Sequence, residues 1–163
     1  MRRLSCLVAL AIGLWCAPIE RAHAGFILEG SVGIGGQVSP HADALPFTIM
    51  ITPGYGIIKN LLRFEVGIGG AFNDIKNAKF DLEFRPMLVL APPIVPLYLK
   101  AVFAVGNVIH RPVVLAYGGA LGVELVFLSH LSLFAELGVL PRKVENDRMG
   151  WVLEGRAGLG WQF

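Results

Sequence analysis

Cysteine is nearly missing from this sequence. Its 163 residues include two, Cys6 and Cys16, both within the first 24 positions. Downstream of residue 24, disulfides, thiol catalysis and cysteine metal sites are therefore excluded. A long helical span is missing too. No stretch beyond the start gives about 20 uninterrupted apolar residues, the length a membrane helix needs. Nor does charge of one sign dominate. The 139 residues after position 24 (163 − 24) carry 11 Lys/Arg (14 less Arg2, Arg3 and Arg21). They also carry 11 Asp/Glu (12 less Glu20), a formal net charge of zero. No basic patch points to nucleic acid. Phosphate loops, nucleotide fingerprints and Cys/His zinc spacings are absent, so no cofactor and no metal is expected.

What is present begins with an export signal. Arg2 and Arg3 supply a positive start, and Leu4 to Cys16 is an apolar run too short to span a membrane. Pro18 breaks any continuing helix. Ala22-His23-Ala24 places small residues before a cut between Ala24 and Gly25. Residues 1–24 are thus expected to be a signal peptide, and residues 25–163 one domain. Trp15 before Cys16 argues against lipidation there.

The remaining chain is greasy, glycine-rich and periodic. Alternation with period two recurs about eight times. One face of successive runs reads Phe26 to Ile34, Phe47 to Ile57, Leu62 to Phe72, Phe80 to Leu90, Leu97 to Val105, Leu115 to Phe127, Leu131 to Val139 and Trp151 to Phe163. Turns or loops are expected at Ser39–Asp43, Lys59-Asn60, Asn73–Asn77, Pro92-Pro93, Asn107–Pro112, Ser129-His130 and Pro141–Met149. The runs are roughly 10–13 residues long, enough for tilted strands to cross hydrocarbon, whereas soluble strands average about 5–6. Eight antiparallel strands can close without a free edge, as a bilayer requires. Pro53 and Pro86 fall inside runs and predict bulges or strand ends.

The opposite faces collect charge. The acids are Glu29, Glu65, Asp81, Glu83, Glu124, Glu136 and Glu154; the bases are Arg63, Lys79, Arg85, Lys100 and Arg156. An unpaired charge in a narrow interior costs several kcal/mol, so these are expected to form a structural charge network. Cross-strand neighbours are the expected partners, with Arg156 meeting Glu29 where the last strand closes on the first. The alternative is an ion path lined by charge. Eight strands leave an interior just wide enough for side chains to fill, which favours the filled lumen. Inward glycines leave room for long Arg and Lys side chains. The aromatics Phe26, Tyr55, Phe127, Trp161 and Phe163 gather at one set of run ends, and Phe47, Phe72, Phe80 and Trp151 at the other. Two such belts suit two membrane interfaces.

The final run ends Trp161-Gln162-Phe163, apolar and polar in alternation. This pattern resembles the closing strand of bacterial outer-membrane β-barrels. Taken with the export signal and the eight runs, the chain resembles the small eight-stranded barrels, the class of the OmpA transmembrane domain and OmpX. The resemblance implies an all-β, eight-stranded antiparallel up-and-down transmembrane barrel in the outer membrane of a Gram-negative cell. It implies that short turns and both termini face the periplasm. It implies that Trp161 and Phe163 form an assembly signal. The implied partners are outer-membrane lipids and, during biogenesis, the barrel assembly machinery and periplasmic chaperones.

Some barrels of this size modify lipid A with a His-x-Ser pair and a Glu, and His130-Leu131-Ser132 with Glu136 invites that comparison. Glu136 lies about 13 Å further along a strand than Ser132, at roughly 3.3 Å per residue. His130 also falls in a periplasmic turn, away from an outer-leaflet substrate. No catalytic residue is therefore assigned. His41 and His110 read as solvated loop residues, and neither Asp43 nor the pair Glu145 and Asp147 has the spacing of a metal loop. The expected role is a non-enzymatic envelope component, structural or engaged in surface interaction. A narrow pore is the alternative. Lipid A modification ranks lower, as does a lipocalin-like secreted binder with the two faces exchanged.

Overall fold

Alternating residues make strands here because each face has its own solvent. In the computed structural model, the chain is described over residues 25–39, 47–58, 61–74, 79–106, 108–109, 113–128, 130–143 and 149–163. The expected signal peptide and Ala24 lie outside the described residues, as do His41, Asp43, His110, Glu145 and Asp147. Eight strands follow: β1 (Phe26–Ser39), β2 (Phe47–Ile58), β3 (Leu62–Asp74) and β4 (Lys79–Leu90), then β5 (Leu97–Gly106), β6 (Val114–Leu128), β7 (Leu131–Lys143) and β8 (Met149–Gln162). Each pairs antiparallel with its sequence neighbour, and β8 pairs with β1 to close the barrel.

The register fixes the barrel's shape. From Phe26 the pairing runs through Tyr55, Phe64, Leu88, Ala101, Gly119, Val139 and Leu153. It returns to β1 at Gly36, ten residues from its start (36 − 26). With eight strands, that stagger corresponds to a tilt of about 40°. One rim, the terminal rim, carries Gly25, Phe163 and the β2–β3, β4–β5 and β6–β7 turns. Backbone bonds stitch it: Gly56 N–H donates to Gly25 O (3.0 Å), and Phe163 N–H to Phe26 O (2.9 Å).

Burial settles which face is inside. Val32, Ile51, Leu99, Leu121, Leu137 and Leu159 are exposed on the outer wall, while Glu29, Glu65, Arg85, Lys100 and Arg156 are buried. The exchanged arrangement, apolar inside and charged outside, is thereby overturned.

Two expectations about prolines are corrected. Pro53 and Pro86 cause no bulge. Pro53 pairs with Leu28 in the β1–β2 ladder, and Pro86 with Val66 in β3–β4, both in unbroken register. Their cost appears on the other side. The β2–β3 pairing skips Thr52 and Pro53, and the β4–β5 pairing skips Arg85 and Pro86, then each resumes in the same register. A proline has no N–H to give, so one ladder bond is lost and the backbone need not shift. Pro141 behaves alike: it pairs with Trp151, while the β6–β7 pairing skips it. This places Pro141 inside β7, which takes in the first three residues of the expected loop, Pro141 to Lys143. Register shifts occur elsewhere, at Gln37/Ser39, Gly56/Ile58, Phe72/Asp74 and Val126/Leu128, near strand ends.

Candidate functional site

The lumen is the site. Seven strands deliver charge to it: Glu29 from β1, Arg63 and Glu65 from β3, Glu83 and Arg85 from β4, Lys100 from β5, Glu124 from β6, Glu136 from β7, Glu154 and Arg156 from β8. All ten are buried. The strand β2 offers Thr48, Met50 and Thr52 instead. Each side chain points inward for the same local reason, even spacing along a pleated strand.

The ion pairs form one connected chain. Arg63 Nη1 meets Glu124 Oε2 at 3.0 Å, and Arg63 Nε meets Glu65 Oε1 at 3.4 Å. Glu65 Oε2 lies 3.1 Å from Lys100 Nζ. Lys100 also reaches Glu29 at 3.3 Å and Glu136 at 3.1 Å. Glu136 passes the chain to Arg156 Nη1 at 3.1 Å, and Arg156 Nε lies 3.7 Å from Glu154. Glu154 meets Arg85, and Arg85 Nη2 meets Glu83 at 3.1 Å. Asp81 sits half-buried, further toward the far rim.

The partners differ from those expected. Arg156 stands opposite Gly33, and Glu29 opposite Gly160, so closure does not bring Arg156 onto Glu29. Few pairs join adjacent strands: Glu136 and Arg156 are register partners. Arg63–Glu124 spans β3 to β6, Lys100–Glu29 spans β5 to β1, and Arg85–Glu154 spans β4 to β8. The lumen is narrow enough for long side chains to cross it, so the far wall competes with the neighbouring strand.

Neutral groups complete the interior. Tyr98 hydroxyl donates to Glu136 Oε2 at 2.9 Å. Arg156 Nη2 donates to Ser31 Oγ at 2.7 Å, Thr48 Oγ1 to Glu154 at 3.3 Å, and Gln162 Nε2 to Glu124 at 3.4 Å. Two aromatics flank Lys100 Nζ, the Tyr98 ring at 5.1 Å and the Phe134 ring at 5.3 Å, within range of a cation–π attraction. Sequence reasoning gave neither ring a role. The available signal is their pairing with glycine: Tyr98 stands opposite Gly122 and Phe134 opposite Gly158. A Cβ at Gly158 would lie 2.7 Å from the Phe134 ring, so these glycines make room for the rings.

Among the described residues, the ion pairs leave a small gap at one place. A gap of about 10 Å³ lies among Arg85, Glu136, Glu154 and Arg156, room for at most about one water.

The remaining sequence candidates separate. His130 is exposed in the β6–β7 turn, whereas Ser132 is buried and its hydroxyl donates to Gly160 O at 3.5 Å. The two do not face the same way, and Glu136 is engaged by Lys100, Arg156 and Tyr98. At the terminal rim, Phe163 packs on Phe26 (5.6 Å between centroids) and Trp161 (6.3 Å). Toward the far rim, Phe72 packs on Phe80 at 5.5 Å and on Phe47 at 6.4 Å.

No protein-family model matches the sequence, and no curated protein does either. Solved structures do resemble the fold. The crystal structure of Neisserial surface protein A (NspA) superposes with a TM-score of 0.63 at 19% identity, covering 87% of this chain and 99% of that one. The N-terminal β-barrel domain of Pseudomonas aeruginosa OprF superposes with a TM-score of 0.51 at 13% identity, covering 85% of this chain and 99% of that one. The chain has the fold of the small eight-stranded outer-membrane barrels. At these identities the likeness concerns the fold alone, and the lumen charges belong to this sequence.

Proposed function

We propose that the protein is an integral outer-membrane β-barrel whose lumen is closed by its own ion-paired side chains. It serves the envelope as a structural or surface-interaction component and carries out no catalysis. The observation that supports this reading is the packed interior: ten buried charges linked into one network, with a gap of about 10 Å³ among four of them. Outside, an apolar wall suits lipid. Trp161 on the closing strand and Phe163 just after it supply the assembly signal, and deleting Phe163 is expected to lower the yield of folded barrel more than its stability.

A second reading, a narrow conducting path, is favoured by the continuity of the ion-pair chain from Glu124 near the terminal rim to Glu83. Planar-bilayer recording separates the two. The filled lumen predicts no steady single-channel current from protein shown to be folded by heat-modifiable migration. A stable conductance abolished on unfolding would replace it with the pore. Recovery from the soluble periplasmic fraction would defeat both.

A further inference from the structure

The terminal rim is greasier than a rim in water should be. Four connections or chain ends meet there, and each shows apolar side chains. At the β1/β8 seam these are Phe26, Trp161 and Phe163, all exposed. The β2–β3 turn shows Ile57 and Ile58. The β6–β7 turn, on the opposite side of the barrel, shows Phe127 and Leu128. The β4–β5 connection, Ala91 to Pro96, has no polar side chain, and Ile94 at its tip is 89% exposed.

Ile58 and Leu128 are the informative pair. Strict alternation would aim both into the charged lumen, because Ile57 and Phe127 already point outward. A register shift between Gly56 and Ile58 turns Ile58 out, paired with Leu62. A shift between Val126 and Leu128 does the same for Leu128, paired with Leu131. Bulges commonly re-aim side chains in this way. As a result Ile58 is 53% exposed and Leu128 61% exposed. The β4–β5 connection is held in place as well: Ala91 N–H donates to Leu61 O, and Glu124 N–H to Pro96 O, both at 2.8 Å.

We propose that this rim is a lipid-anchoring collar: its apolar side chains and the β4–β5 connection lie below the headgroups, at the boundary between glycerol and acyl chains of one leaflet, while the exposed His130 at the β6–β7 tip reaches the headgroups. The proposal rests on the membrane reading above and extends it to the connections. Continuity carries it. The collar prolongs the outward rows that end at Tyr55, Leu90, Leu97 and Leu125, with no polar ring between wall and turn in the β4–β5 sector. In water, each such side chain would forgo roughly 1.5–3 kcal/mol available from burial. A protein partner recognising a periplasmic turn would find no charge or hydrogen-bonding side chain on residues 91–96 to read. The wall is also tall. Outward residues run from Trp151 in β8 to Phe163 just past its end, a span of twelve residues (163 − 151). At about 3.3 Å per residue and a tilt of about 40°, that is roughly 30 Å, against about 25 Å for a typical barrel band.

Single cysteines test this in the full chain carrying Cys6→Ser and Cys16→Ser. Ile94→Cys and Leu128→Cys sample the collar, Leu121→Cys the mid-wall, and Val95→Cys replaces Ile94→Cys if the latter fails to fold. Barrels showing heat-modifiable migration are placed in dioleoyl phosphatidylcholine vesicles and treated with a sulfonated maleimide. Collar cysteines should label at least about tenfold more slowly than in urea, because the charged reagent must enter lipid. After bimane labelling, lipids brominated near the carbonyl end should quench the collar dyes best, and lipids brominated near the methyl end the Leu121→Cys dye. Fast labelling at positions 94 and 128 with Leu121→Cys still quenched would overturn the collar alone and leave the rim for a protein partner. Absence of quenching at all three would overturn the membrane reading beneath it.

Discussion

Lys100 and the arginines of the lumen hold their carboxylates in different ways. Toward the terminal rim, Lys100 sits among Glu29, Glu65 and Glu136, which come from three strands. A compact ammonium on a flexible stem can serve carboxylates from several directions. Further along, Arg85 and Arg156 each grip a same-strand carboxylate, Glu83 and Glu154 respectively, and a second from another strand. Their planar forks suit fixed, directed pairs. Lys100 is therefore a hub whose loss takes Glu29 from its ion pair and leaves Glu65 and Glu136 to Arg63 and Arg156, and the arginines form a chain with overlapping grips. Hub and chain share one property: six buried carboxylates face four buried cations across the network.

The comparison can be broken by removing cations one at a time. Lys100→Met should cost the most, about 3–5 kcal/mol, because three carboxylates lose a partner at once. The midpoint of urea unfolding in vesicles reads it. Arg85→Met should cost about 3 kcal/mol, at the lower edge of the same range, since Glu154 keeps Arg156 and the Thr48 hydroxyl. Equal midpoints for the two variants would erase the distinction between hub and chain. Gly122→Ala should cost about 1–3 kcal/mol through overpacking, as its Cβ would enter the Tyr98 ring beside the hub. Gly35→Ala is the control, because its Cβ would meet Leu153 O at an ordinary 3.4 Å. Glu29→Gln should change least, within about 1 kcal/mol in either direction, because surplus carboxylates surround Lys100. A Glu29→Gln loss as large as that of Lys100→Met would show that the acids are not in surplus.

Much of the fold was legible because the two solvents impose one rule. Apolar residues at every second position had to face one way, and eight such runs had to close. The inward phase of Glu29, Arg85, Lys100 and Arg156 followed from the same rule. Their partners did not. Pairing across the lumen depends on which walls face each other after tilt and stagger, and a linear reading sees only neighbours. The boundary at Pro141 was misread because Arg142 and Lys143 resemble loop residues, yet their backbones pair with Gly150 and Met149. The outward turn of Ile58 and Leu128 was hidden for a related reason: a bulge of one residue leaves no mark in composition.

The prolines carry a mechanical consequence. Pro53, Pro86 and Pro141 each leave one ladder whole and interrupt the other, and the interrupted seams are β2–β3, β4–β5 and β6–β7. The seams β1–β2, β3–β4, β5–β6 and β7–β8 run without a skip at the proline rows. The wall is thus a set of four two-stranded staves, jointed where a bond is missing and locked where β8 meets β1. Squeezed by a bilayer, such a cylinder should flatten by flexing at its three joints while each stave stays stiff.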